Sequence, residues 1–358
     1  MKIYMTASAA LLLTTTIATA GGLDRSGQGI GVIFEDGNYA ELSFGNVSPS
    51  ISGVANPGLP AGIGGGGASG NIAPAYTQVG AGMKMQLSEQ LSAALIYDQP
   101  FGASVDYPAA PYPASGATAT VKSNGVTALF RNEINSSFSL HGGLRYVAAN
   151  GVYTPNNNYS STYSEGTGTG YVIGGAYERD DIAMRIALTY SSEIELSTLE
   201  GTAGNLTTTL PRSINLDFQT GIAADTLLFG SVRYVAWNDF SLDDSVVAGS
   251  ILSYDEDVNT YNIGIGRRLS DNLAASFAVG YEASTGEQTG QLGPTDGYIS
   301  YQVGAVYTLD SGVELSGGIR YVNIGDAETK KFVAGTGYGG RFSENSAVAI
   351  GLKIGFTF

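Results

Sequence analysis

Catalytic chemistry has little to work with in this chain of 358 residues. It holds one histidine and no cysteine, so thiolate nucleophiles are excluded and zinc lacks a ligand set. An imidazole acid–base site would have to use His141. The run Gly62-Ile63-Gly64-Gly65-Gly66-Gly67 contains GxGxxG, but no βαβ context surrounds it, and a flexible loop is the better reading. Asp255-Glu256-Asp257 gathers carboxylates that suit Ca²⁺ or a lipopolysaccharide bridge. Its spacing is not that of an EF-hand, and a solvated strand entrance is the simpler explanation. No catalytic residue, metal or cofactor is therefore assigned.

Two other sets of residues carry more information. Arg145, Arg185, Arg233, Arg320 and Lys353 lie in alternating segments that also hold Glu178, Glu193, Asp217, Glu282 and Glu314. If they share an interior, they either pair into a ladder that braces it or form a route for an anionic head group such as a carboxylate. The second set is Tyr97-Asp98-Gln99-Pro100-Phe101-Gly102. Pro100 cannot donate to a strand ladder and Gly102 permits a bend, so the segment either kinks a wall or begins a loop. Tyr107, Pro108, Pro111, Tyr112 and Pro113 follow it as an apolar lip.

The elements that position these residues are strands. From Asn38 onward the chain alternates with period two. At the end of the chain Val348, Ile350, Leu352, Ile354, Phe356 and Phe358 occupy every second position, with Ala349, Gly351, Lys353, Gly355 and Thr357 between them. Leu140 to Tyr146, Ile182 to Tyr190 and Val313 to Tyr321 repeat the pattern. An apolar face opposite a small or polar face is what a lipid-facing barrel strand requires. Charges on the lipid side would cost roughly 2–4 kcal/mol each at the midplane, which forces the cations inward and places His141 on the inner face near the periplasmic end. There a histidine bonded to lumen neighbours is the better reading than an acid–base group.

Short turns are expected at Ser88-Glu89-Gln90, Asn132 to Ser136, Arg179-Asp180-Asp181, Ala224-Asp225, Ser270-Asp271-Asn272 and Asp310-Ser311-Gly312. Longer loops are expected near 54–71, 106–116, 151–168, 198–207, 243–250, 289–294 and 327–342. Together they predict an all-β, transmembrane antiparallel barrel of about fourteen strands over 38–358. Residues 1–20 read as a signal peptide: Lys2 precedes the apolar stretch Ala7 to Ile17 and the small triplet Ala18-Thr19-Ala20. The stretch is too short for a spanning helix. With 51 Gly, 22 Tyr and 13 Phe against 14% charged residues, the composition suits such a barrel better than a soluble exported domain. The net charge of −15 excludes nucleic acid as a partner.

Several segments resemble the FadL family, outer-membrane transporters of long-chain fatty acids and aromatic hydrocarbons with fourteen-stranded barrels. They are Asn71-Ile72-Ala73-Pro74, Ala187-Leu188-Thr189-Tyr190-Ser191-Ser192-Glu193, Leu210-Pro211, and Tyr234 to Phe240 with Trp237 at its centre. The resemblance implies a monomer, an inward kink in the third strand at Pro100, Phe101 and Gly102, and a lateral hole there. It also implies an N-terminal plug. Only Gly21 to Gly37 precede the first strand, so either Asp24 to Glu35 forms a reduced plug or the lumen is more open, and Asn56-Pro57-Gly58 reads as loop. Phe358, with Phe356, resembles the insertion signal read by the barrel assembly machinery.

The function expected is passive passage of hydrophobic or amphipathic molecules, long-chain fatty acids above all, through an outer membrane of lipid and lipopolysaccharide. The rivals are a structural or adhesive surface barrel closed by its charge ladder, and a general porin.

Overall fold

The architecture comes from a computed structural model that describes residues 23–108, 110–155, 158–331 and 337–358. The expected signal peptide, residues 1–20, lies outside the described residues. The main sheet runs through β1 (Tyr39–Ser50), β2 (Tyr76–Gln86), a divided β3 (Leu91–Asp98 and Gly102–Asp106), β4 (Thr118–Glu133), β5 (Phe138–Thr154), β6 (Ser161–Arg179) and β7 (Met184–Ser191). It continues through β8 (Ser213–Ala223), β9 (Thr226–Val235), β10 (Val258–Arg268), β11 (Leu273–Glu282), β12 (Tyr298–Thr308), β13 (Glu314–Ile324) and β14 (Asn345–Thr357). Each strand pairs antiparallel with the next, and β14 returns to β1 in an unbroken register from Tyr39↔Thr357 to Ser50↔Ser346. With β3 counted once, this is a closed barrel of fourteen strands.

The side-chain period explains the closure. Ile350, Leu352 and Ile354 of β14 are exposed, whereas Ala347 and Ala349 are buried. Leu140, Leu144, Ile186 and Leu188 are likewise exposed. This apolar exterior suits lipid, and closure leaves few unpaired backbone groups to desolvate. No helix among the described residues is long and apolar enough to cross a membrane; the apolar surface suited to lipid is the outer face of the closed strand barrel. Phe356 and Phe358 are exposed on the outer face, and Phe358 N donates to Asn38 O at 2.9 Å.

The six expected short turns join strands at one rim. At the other rim the connections fold into a cap with two apolar clusters: one centred on Ile51, Tyr107, Tyr112 and Phe342, the other on Phe101, Val147, Trp237, Phe240 and Leu242. The expected loop 151–168 is mostly strand, because β5 continues to Thr154 and β6 begins at Ser161, with Tyr153↔Ser161 paired. There the inner face packs on the apolar cap through Val147, Ala149 and Tyr163 while the outer face has left the lipid, so the ladder persists although the alternation that signals it has faded.

Candidate transport path

The third strand supplies the local irregularity. Asp98 pairs with Gly125 of β4 and Gly102 with Lys122, so Gln99, Pro100 and Phe101 oppose only two residues. That extra residue is a bulge. On the other side, β2 follows β3 only as far as Ala81↔Tyr97. Tyr76 to Gly80 keep their partners on β1, but Gly102–Asp106 pairs with β4 alone. The missing partner is the N-terminal segment: Arg25 N donates to Pro100 O and Gly102 N to Leu23 O, both at 2.8 Å. Phe101 is buried, held by Ser123 Oγ, which accepts from Phe101 N at 2.9 Å and donates to Phe101 O at 2.7 Å. Gly102 does not adopt a positive φ. Its role is close approach, since a Cβ there would lie 2.9 Å from Arg25 Nε.

The segment Leu23–Phe34 is anchored among inward-facing side chains. Asp24 pairs with Arg233 at 2.5 Å. Gln28 Oε1 accepts from Ser213 and Arg233, and Asn215 donates to Gly27 O at 2.9 Å. Ser26 donates to Asp98 at 2.5 Å. Further along, Phe34 lies edge-on to His141 at 5.8 Å and under the Arg185 guanidinium at 4.5 Å. Lys84 Nζ donates to Glu35 O at 2.6 Å.

Two cavities flank this segment. The outer one, about 50 Å³, is lined by Leu23, Phe101, Val121, Ala149, Leu199, Phe240, Leu242 and other mostly apolar residues. Trp237 does not line it; it is fully buried behind Phe101 and Phe240, with ring centroids 5.9 and 5.2 Å away. The second cavity, about 210 Å³, is lined by inward Glu41, Arg185 and Asp217 and also by the exposed Phe44, Val79 and Leu352. Residues of both wall faces meet there beside Gly80, where β2 has lost its β3 partner.

The lumen cations divide into two kinds. Arg145 is buried and donates to Thr127 at 2.8 Å, Ser191 at 3.1 Å and Gln28 O at 3.5 Å. Arg233 is paired with Asp24, Lys353 with Glu41 at 3.0 Å, and Arg320 donates to Ser300 at 2.8 Å. Arg131, not singled out in the sequence, pairs with Glu133 at 2.9 Å and with Glu178. Arg185 has no hydrogen bond or ion pair of this kind among the described residues; its guanidinium rests on Phe34 in the second cavity. Glu282 is buried. Glu193 departs from expectation: β7 ends at Ser191, so Glu193 stands exposed at the rim, 3.9 Å from Arg212.

His141 is buried against Thr189 Oγ1 at 3.0 Å. Among the described residues no three His, Cys, Asp or Glu side chains gather as metal ligands. Asp255 is paired with Lys330 at 2.9 Å, while Asp257 accepts from Tyr234 at 2.6 Å. The glycine run 62–67 begins in a single 3-10 turn, Ala61–Ile63, and continues as loop, with Gly64 at φ +90° packed against Pro111.

No protein-family model and no curated protein matches the sequence. Solved structures do match. A FadL homologue of Pseudomonas aeruginosa superposes with TM-score 0.74 at 14% identity over 97% of this chain and 98% of its own. The fold is that of the FadL-type transporters. The Pseudomonas putida toluene transporter TodX aligns with TM-score 0.68 at 12% identity, and the Ralstonia pickettii toluene transporter TbuX with 0.61 at 11%, each over 91% of both chains. Within this FadL-type fold, the N-terminal segment pairs directly with the divided β3.

Proposed function

We propose that this barrel passes hydrophobic molecules, long-chain fatty acids or hydrocarbons, across the outer membrane without an energy source. The carrying observation is the interrupted β2–β3 ladder beside a cavity lined from both the lumen and the lipid face. The apolar outer cavity supports the reading: a neutral chain or ring gains about 25 cal/mol for each Å² it removes from water there. Leu23 and Phe101 form its floor. The segment from Asp24 to Glu35 acts as a reduced plug that parts the two cavities. Substrate enters through the cap, passes the segment and leaves sideways between β2 and β3. One chain closes the wall by itself, which is compatible with a monomer as the transporting unit. The toluene transporters of the same fold carry substrates of the same physical class.

Sealing the wall tests the exit. Replacing Pro100 with Val and Gly102 with Ser restores a backbone donor and crowds Arg25. Initial uptake of a labelled fatty acid and of toluene should fall at least about fivefold in expression-matched cells if exit is rate-limiting. Unchanged uptake by a correctly inserted variant would move the exit to the periplasmic end of the lumen.

A further inference from the structure

Beyond Ala81↔Tyr97, an unbroken ladder would set Val79 opposite Gln99 and Gln78 opposite Pro100. The backbones part there, yet two amide side chains still cross the break. Gln99 Oε1 accepts from Val79 N at 3.0 Å, taking the place of a strand carbonyl. In the other direction Gln78 Nε2 reaches Gln99 O at 3.5 Å. Gln99 is further tied to the β4 side, where its Nε2 lies 3.5 Å from Asn124 Oδ1, which also accepts from Tyr97 OH at 2.8 Å.

We propose that Gln78 and Gln99 form a side-chain latch across the wall break, and that releasing it widens the opening. This rests on the lateral exit proposed above. A main-chain ladder is fixed by its neighbours on both strands, so it opens only when the strands separate. An amide on a flexible side chain can swing aside while β2 stays paired with β1 and Gly102–Asp106 with β4. The latch also gives the Val79 N–H an acceptor at lipid depth, where an unsatisfied donor is unfavourable. It therefore satisfies the closed wall without committing it to a continuous sheet. Both glutamines line the second cavity, so a substrate arriving there meets the latch directly.

Two readouts test this, one independent of transport. Amide exchange at Val79 is followed in the full-length barrel in micelles. Gln99→Met keeps the length but removes the acceptor, and exchange should quicken by about tenfold or more. Gln99→Glu keeps an acceptor but adds a charge and loses the donor to Asn124, so Val79 should exchange faster than in wild type yet more slowly than in Gln99→Met. Equal exchange in all three proteins would overturn the latch, whatever the exit. In cells, Gln99→Ala should raise the initial uptake of a bulky neutral probe, N-phenylnaphthylamine, by about threefold or more. It should change toluene less. A gain of rate is not what simple destabilisation produces. If Gln99→Ala leaves uptake of the bulky probe unchanged while the sealed Pro100/Gly102 variant is slow, the lateral exit stands and the gating role is overturned.

Discussion

Asp24 Oδ2 lies 2.5 Å from Arg233 Nε, both side chains being buried. The contact spans 209 residues of sequence and fastens the N-terminal segment to β9. Removing one member of a buried pair leaves an uncompensated charge and typically costs about 3–5 kcal/mol. Asp24→Asn should therefore loosen the segment while the barrel stays folded. Single-channel recordings should show a larger or noisier conductance, and a protease should clip the chain near residue 30. Silent channels and a resistant N-terminus would mean that the remaining bonds, from Gln28, Ser26 and Asn215 and the backbone pairing with β3, hold the segment without Asp24.

The lumen arginines separate by the same logic. Arg145 is held by three acceptors, so Arg145→Gln should lower thermal stability with no preference among substrates. Arg185 faces the second cavity, stacked on the Phe34 ring and in the field of Glu178, Glu35 and Asp217, with no direct hydrogen bond to hold it among the described residues. Arg185→Gln should leave toluene uptake alone and slow fatty-acid uptake about two- to fivefold if the guanidinium meets the carboxylate. Equal effects on both substrates would assign Arg185 to bracing as well.

Much of this arrangement is legible in the sequence, for a physical reason that also marks where legibility ends. Strand alternation such as Ile350, Leu352 and Ile354 is imposed by lipid on one side and a crowded lumen on the other, so it survives as pattern. Pro100 announces the break in β3 because a missing donor is a property of the residue itself. Above the membrane the contrast vanishes, and the outer parts of β5 and β6 read as loop. The same loss of contrast put Glu193 in the lumen set, although β7 ends two residues before it. Partnerships across the barrel leave no local trace: nothing beside Asp24 points to Arg233, and nothing beside Gln99 points to Val79 N. Gly102 is correctly marked as special, but for conformational freedom, whereas the requirement is room for Arg25.

In the cap, one carboxylate ties its own turn to the start of β6. Asp244 Oδ2 accepts from Tyr159 and Tyr163, both at 2.8 Å, and Oδ1 accepts from Val246 N at 2.8 Å and Val247 N at 3.0 Å. Burial favours its neutral form, but these bonds outweigh burial and hold the carboxyl below the usual carboxylate range. A depressed value gives stability that is present above the unfolded value near 4 and is lost as pH falls through the folded one. Protease resistance of the loops should hold from neutral pH down to about 4 and fall below it. Asp244→Asn should lose much of that resistance already at pH 7 and show a flatter pH profile. An identical profile in the variant would place the acid sensitivity elsewhere.

The outer cavity gives the most direct test of binding. It holds about 50 Å³ of open space, and Ala149 lines it from β5 among apolar side chains. Ala149→Leu places an isobutyl group in that space. Overpacking costs about 1–3 kcal/mol where neighbours cannot move, but an existing void absorbs part of it. The barrel should still insert and keep its heat-modifiable migration. A hydrophobic ligand would then find the site filled, and since each buried CH₂ contributes about 0.8 kcal/mol, excluding two or three carbons should weaken binding roughly tenfold or more. Fluorescence titration of purified barrel with a neutral aromatic probe measures this, with Ala149→Ser as the control that leaves the space open. Equal affinities in the Leu and Ser variants would show that the ligand sits outside this cavity, and the first binding step would have to be sought in the cap around Tyr107 and Tyr112.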